Sequence, residues 1–408
     1  MRATPDIQKL NSTEGDNSYV LDRIATAGSN DAALRGPLWL RTLESTLVRS
    51  SNAVLFVFPD GRQLRCGTGK VVAEVRLRNA RALRSLESLD EGNIAQSYID
   101  CDLDLTGDML ALLDLRRCFS DRHRAHSLWR FIQPIFLGQI RTNAKAISVH
   151  YDQDPEFYLS FLDETRCYTQ GIFHDDNEPL NVAIRRKFDY CLESCRLGPG
   201  SHILEVGPGW GAFTEYAAER GIRITAVTIS RKSKEYVDSL GPRTGNCNVQ
   251  MIDFLKYAPG EQYDAIVVMG IMEHLPQYDQ VTKRFWRLLK PGGVVYLDAS
   301  ATRAKYDVSS FIYRNIYPAN HSFFVLHDFL KAVANSPLQV RSVAEDRHNY
   351  FLTFKHWAEK LESNREHLIS RFGETNYRRF HLYLWGSVHS FRMDVLQCYR
   401  VVLDKPLS

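Results

Sequence analysis

The residues with the plainest chemical consequence are Gly207, Gly209 and Gly211, set in the run GPGWGA between the apolar stretch HILEV and an amphipathic segment. Gly221 and IRITAVTIS follow, so His202 to Ser230 reads as one βαβ unit of about 30 residues. Glycines at the mouth of such a unit let backbone N–H groups approach a nucleotide-bearing cofactor. Gly207, Gly209 and Ala212 also satisfy the dinucleotide pattern, which expects an acid roughly 20 residues on to hold a ribose. Here the second strand ends Val227, Thr228, Ile229, Ser230, and Glu219 falls too early, inside the helix. Pro208 and Trp210 between the glycines, with the third strand YDAIVVMG, suit S-adenosylmethionine (SAM) better than NAD. A glycine-rich structural turn is the competing reading.

The elements that must position this loop are legible as alternation. HILEV, ITAVT, NVQMID, YDAIVVMG and GGVVYLDAS are short β-branched runs separated by amphipathic segments. That pattern predicts an α/β fold with a doubly wound, mostly parallel, Rossmann-like sheet. Ligands in such sheets sit beyond the carboxyl ends of the strands. The rule selects Gly207 to Gly211, Thr228 to Ser230, Asp253 with Phe254, Gly270 to His274, and Asp298 to Ser300.

Upstream, the organisation is simpler. Residues 1–30 are rich in Ser, Asn, Asp and Gly and read as a poorly ordered tail. Residues 31–125 form a small α+β domain: a helix over Leu38 to Leu47, the hairpin AVLFVFPDGRQLRCG, the strand VVAEVRLRN, and SYIDCDLDLTGDMLALLDL. The last of these passes from alternating residues into a helix opened by Thr106 and Asp108. Its acids, Asp100, Asp102, Asp104 and Asp108, lack the spacing of a calcium loop. Residues 126–145, interrupted by Pro134, read as a hinge. From 146 to 408 runs the cofactor domain, with a lid-like aromatic segment before the helix VAIRRKFDYCLESCRL.

Composition excludes several classes. A net charge of +3 and a pI near 8.3 argue against a nucleic-acid partner and leave room for weak attraction to an anionic membrane surface. The eight cysteines contain no C-x-x-C pair and no zinc spacing. With no apolar leader and no run of 18 apolar residues, the expectation is a cytoplasmic protein with reduced thiols. The basic groups Arg185, Arg186, Lys187 and Arg378, Arg379 read as solvated helix faces, with lipid phosphates as the sharper alternative.

Several stretches, taken together, resemble the cyclopropane-fatty-acyl-phospholipid synthase family, which includes the mycolic acid cyclopropane synthases. The resemblance is carried by His150, Tyr151, Asp152, Phe157, Tyr158, Leu162 and Asp163, then by Tyr168, Thr169 and Phe173. It continues through Gly207, Pro208, Gly209, Trp210 and Gly211, the strand end Val227 to Ser230, and Met272, Glu273 and His274. Tyr350, Trp357 and Asn364 match the family's C-terminal segment, and SYIDCDLDLTGDM looks like part of the full-length synthases' N-terminal module. Coverage runs from about residue 50 to the C-terminus.

The resemblance implies SAM-dependent methyl transfer to an alkene carbon of an unsaturated acyl chain, through a carbocation that ends as a cyclopropane or a methyl or methylene branch. It implies that Tyr168, Thr169, Gly207, Gly209 and Gly211 surround the methionyl part of SAM, with Trp210 also among the cofactor-binding residues. Thr228 and Ile229 would meet the ribose and Asp253 with Phe254 the adenine, while Ser233 replaces a family Gln. Tyr151, Phe157, Tyr158, Tyr168, Phe173, Phe311 and Tyr317 are the aromatics from which the cation's pocket would be drawn. The family holds bicarbonate as base with a Cys, a Glu, a His and a Tyr. Glu273 and Tyr350 stand at two of those positions, but the others are Gln170 and Asp298, with Ser300 nearby. A carboxylate beside Glu273 disfavours another anion, so the expectation is that bicarbonate binds poorly and that Glu273 and Asp298 share a proton, one serving as base. Glu273, Tyr350, Asp298, Gln170 and His274 are thus the candidate catalytic residues. A specialised polyketide, terpenoid or acyl intermediate, or a SAM-binding protein without activity, remain the alternatives. Peripheral membrane contact and a homodimer through the N-terminal module are further implications.

Overall fold

A computed structural model of the chain describes residues 38–47, 52–121, 154–245, 247–304, 309–317 and 322–407. The expected tail, the hinge and the motif His150 to Asp152 lie outside the described residues. The chain divides into two compact units, Met1–Arg124 and Ala125–Ser408.

The first unit is a four-stranded sheet, β1 (Asn52–Val57), β2 (Gln63–Cys66), β3 (Lys70–Leu77) and β4 (Leu103–Gly107), in the order β2-β1-β3-β4. β1 and β2 form the expected hairpin, closed by the Phe58 N–H on the Arg62 carbonyl at 2.9 Å. Short helices Ala80–Glu87, Glu91–Ile99 and Met109–Leu113 begin where the Asn79, Asp90 and Asp108 side chains accept free backbone N–H groups. Ser97, Tyr98 and Ile99, expected in an alternating stretch, instead end a helix whose Asp90 cap sets a helical register, and only Leu103–Gly107 is strand.

The second unit holds a seven-stranded sheet in the order β10-β11-β9-β8-β5-β6-β7. β5 (His202–Val206), β6 (Arg223–Thr228), β7 (Asn248–Met251), β8 (Tyr263–Met269) and β9 (Leu289–Ala301) are parallel. β11 (Gln397–Asp404) runs antiparallel to β9, and β10 (Gln339–Glu345) antiparallel to β11. These last two strands do not figure in the alternating sequence pattern, because helices and not a crossover separate them. Strand order reverses at β5, between β6 and β8, so a crevice opens beyond its carboxyl end.

The two faces of the sheet differ in chemistry. Leu204, Val206, Ile266, Val268, Val295 and Leu297 point to one side, where they pack with Phe285 and Phe329 into the main core. On the other side, alternation places Asp298 and Ser300 of β9 beside Arg400 and Cys398 of β11, in direct register. C-terminal helices Arg347–Ser363 and Glu374–Arg392 pack on each other, pinned by Glu362 accepting from His381 at 2.7 Å and from Trp385 at 2.9 Å. Phe285 is wholly buried in the apolar core, so Phe285→Ala should cost about 3–5 kcal/mol, read as a lowered midpoint in urea unfolding.

Candidate active site

The cleft at the end of β5 is lined by the glycine loop, by Val227 to Ser230, by Ile252 to Phe254, by Met269 to Ile271, and by Arg166 to Thr169. Its empty space, open mouth included, is about 1110 Å³. Gly207 has φ +77°, and a Cβ there would meet Ile271 Cδ1 at 2.4 Å, so only glycine permits this turn. Tyr168, Thr169, Gly207, Gly209, Trp210, Thr228, Ile229, Asp253 and Phe254 all reach the cleft. Gly211 is not among the lining residues; it has φ +73° at the start of helix Ala212–Ala218, and a Cβ there would meet Leu240 Cδ1 at 2.7 Å. Ser233 tethers the loop, its Oγ donating to the Gly209 carbonyl at 2.7 Å.

Several lining residues, among them Arg166, Phe188, Leu275 and Glu205, carry no motif in the sequence. Glu205 on β5 faces the cleft, accepts from Thr214 Oγ1 at 2.6 Å, and is pushed up to about 7 by burial. Its signal was an acid inside the apolar run HILEV.

Beyond β8 a single helical turn, Met272–His274, presents Glu273. Its Oε1 accepts from the Ser300 N–H at 2.8 Å and from Ser300 Oγ at 2.7 Å, whereas Oε2 is buried with no partner among the described residues. Burial raises this carboxyl to about 7. Tyr350 is buried, and its phenol is held well above its ordinary value by desolvation and then by the Glu273 carboxylate. Its ring packs on Phe354 and Phe391 at 4.9 and 4.8 Å. His274 lies at the rim; burial depresses its imidazole to about 4, so it is neutral at pH 7. Its ring stands 6.0 Å from Tyr317, whose hydroxyl is 3.3 Å from that of Tyr383.

Of the expected aromatics, Tyr168 and Tyr317 border the site, and Tyr151 lies outside the described residues. Phe157 and Tyr158 are wholly buried in a cluster with Phe161 and Phe380, and Phe173 stacks on His356 at 5.8 Å. Phe311 is buried on the short helix Ser310–Asn315.

Asp298 corrects the idea of a proton-sharing pair. Among the described residues no hydrogen bond joins it to Glu273. Its Oδ1 accepts from the Gly270 N–H at 3.1 Å, and its Oδ2 lies 3.7 Å from Lys187 Nζ, both side chains being wholly buried. Lys187 is its counter-charge, while burial raises the carboxyl above its ordinary value. Lys187 is the second correction: read as part of a solvated basic face, it has no exposure at all, while Arg185 and Arg186 pair with Glu164 and Glu178. Gln170 is also wholly buried, its amide facing the Asp346 carboxylate at a geometry short of a full hydrogen bond.

These groups do not suit bicarbonate. Both Ser300 donors are already given to Glu273, and the buried atoms without partners at Glu273 and Gln170 are two acceptors and one amide nitrogen. An additional anion would meet more acceptors than donors.

The model of the mycolic acid cyclopropane synthetase family matches residues 139–401. The chain belongs to that family. A Pseudomonas putida protein named "Probable fatty acid methyltransferase" is 27% identical over 283 residues, 66% of this chain and 71% of its own. Hydroxymycolate synthase of Mycobacterium tuberculosis is 26% identical over 302 residues, 67% of this chain and 97% of its own. Sphingolipid C9-methyltransferase of Komagataella phaffii is 23% identical over 337 residues, 76% of this chain and 69% of its own. Among solved structures, a mycolic acid cyclopropane synthase complexed with SAH and CTAB superposes with a TM-score of 0.59 at 25% identity, over 64% of this chain and 98% of that one. Coclaurine N-methyltransferase shares the fold, with a TM-score of 0.61 at 19% identity over 76% of this chain and 99% of that one. The sheet is therefore that of the class I SAM-dependent methyltransferases, and the family modifies lipids through relatives such as these. Among the described residues no helix is long and apolar enough to cross a membrane. Gly207→Ala, which drives a Cβ into Ile271 and strains the backbone, should weaken S-adenosylhomocysteine binding by at least about tenfold, measured by calorimetry.

Proposed function

We propose that the protein transfers the methyl of SAM to an alkene carbon of an unsaturated acyl chain, and that Glu273 takes the proton which the product must lose. The observation that carries this reading is the Glu273 carboxylate: buried, anchored through one oxygen, and without a partner among the described residues at the other. SAM supplies an electrophilic methyl. The π-electrons of the alkene form the new carbon–carbon bond as the sulfonium–methyl bond breaks, leaving a cation on the chain. Loss of a proton from the added methyl closes a cyclopropane directly, or leaves a methylene once a 1,2-hydride shift has moved the cation to the methylated carbon; loss from the chain leaves a methyl-branched alkene. Tyr317 and Tyr383, with Tyr350, offer π-faces to that cation, and His274, kept uncharged by burial, adds no positive charge beside it. A carboxyl near 7 is matched to proton abstraction near neutral pH. The fatty acid and sphingolipid methyltransferases among the relatives support an acyl lipid as acceptor.

The direct test incubates the protein with trideuteromethyl-SAM and unsaturated phospholipids or free unsaturated acids. Two deuteriums retained on the added carbon report proton loss from the methyl, and three report loss from the chain. No label in any acyl chain would overturn the reading. The rate should rise with pH through about 7 as Glu273 loses its proton, and Glu273→Gln should lower kcat by at least about a hundredfold. The stability effect has the opposite sign. Because burial raises the folded-state pKa, Glu273 disfavours the fold as pH climbs from 4.5 through about 7. Glu273→Gln should therefore raise Tm at pH 8 more than at pH 5, read by calorimetric scans.

A further inference from the structure

We propose that Lys187 is a positioning residue for the methyl donor, closing a ring of four residues behind the cofactor cleft. The inference rests on the reading that this cleft takes SAM. Lys187 lies on the helix Leu180–Ser194, whose other buried positions are Leu180, Ala183, Ile184, Phe188, Cys191 and Leu192. A wholly buried cation in such a stripe is costly unless its partners are well placed. Its Nζ donates to Thr169 Oγ1 and lies 3.6 Å from Cys167 Sγ and 3.7 Å from Asp298 Oδ2.

The ring continues through packing and backbone. Gly270, with φ +64°, lies so close to Thr169 that a Cβ would stand 2.5 Å from Thr169 Cγ2. Its N–H donates to both the carbonyl and Oδ1 of Asp298, at 3.0 and 3.1 Å. Asp298 returns to Lys187. Four separate stretches of chain are thereby joined: a helix, the segment before it, the loop after β8, and β9. Thr169 and Gly270 line the cleft, whereas Lys187 and Asp298 stand behind the wall. Lys187 thus sets the separation of two walls of the donor site without reaching it.

A second buried pair steadies the same layer: Arg400, opposite Asp298 in the β11–β9 register, approaches Asp346 Oδ2 at 3.2 Å. Removing Lys187 alone leaves Asp298 buried beside Asp346 with one cation fewer. That loss is structural, and removal of the Asp298 charge should relieve it. The loss of the Thr169 tether should remain.

The test measures S-adenosylhomocysteine affinity by calorimetry together with thermal stability. In Lys187→Met the dissociation constant should rise about tenfold and Tm should fall. In Lys187→Met/Asp298→Asn, Tm should recover while the weakened affinity persists. Thr169→Val should weaken binding by a similar factor, and Lys187→Met/Thr169→Val by no more than either change alone, because both break one link. A folded Lys187→Met/Asp298→Asn protein that binds within twofold of wild type overturns the inference, as does a Lys187→Met/Thr169→Val effect equal to the product of the two singles. Should Lys187→Met not fold, the variant lacking both charges carries the same test. Wild-type protein that binds no S-adenosylhomocysteine refutes the SAM reading instead.

Discussion

A lysine and an aspartate with no access to water lie against each other on the polar face of the central sheet, and the site is arranged around that contact. Buried charges are tolerated only when pairing and hydrogen bonds offset their desolvation. Lys187 meets this condition with Thr169 and Asp298, and Asp298 meets it with Lys187 and the Gly270 N–H. The arrangement is stringent because each partner comes from a different stretch of chain. The opposite face of the sheet carries the apolar core, so stability and site geometry are distributed to opposite sides of the same strands.

The same contact separates the duties of two carboxylates. Asp298 and Glu273 both lie near the carboxyl end of the sheet and both are buried. Asp298 has a cation and a backbone N–H, so its charge is spent on structure. Glu273 has two donors on one oxygen and, among the described residues, none on the other, and burial lifts it to about 7. Two identical functional groups thus differ in role through their surroundings. His274, kept neutral by burial, adds no charge beside Glu273.

Membership of the cyclopropane synthetase family supplies the sheet and the glycine loop, and its members include enzymes whose names refer to different lipids. What distinguishes this chain lies in the layer next to Glu273. Gln170, Asp298 and Ser300 occupy positions where the family resemblance implies other residues, and together they leave no donor-rich hollow for an anion.

Much of this was legible from residues in order. The parallel strands announce themselves as β-branched runs, since strand periodicity and turn glycines are local properties. The glycine loop needs left-handed backbone at Gly207, which its residue type reveals. Glu273 and Tyr350 came from motif order. Other features had no local signal. β10 and β11 join the sheet only after intervening helices fold, and Lys187 looks in the sequence like any lysine beside two arginines. Whether such a group meets water or an aspartate more than a hundred positions away depends on how helix and sheet pack. Residue type and spacing therefore settled the fold and the cofactor class, while the partners of Lys187, Asp298 and Glu273 were decided in three dimensions, because burial and charge pairing exist only between segments that folding brings together.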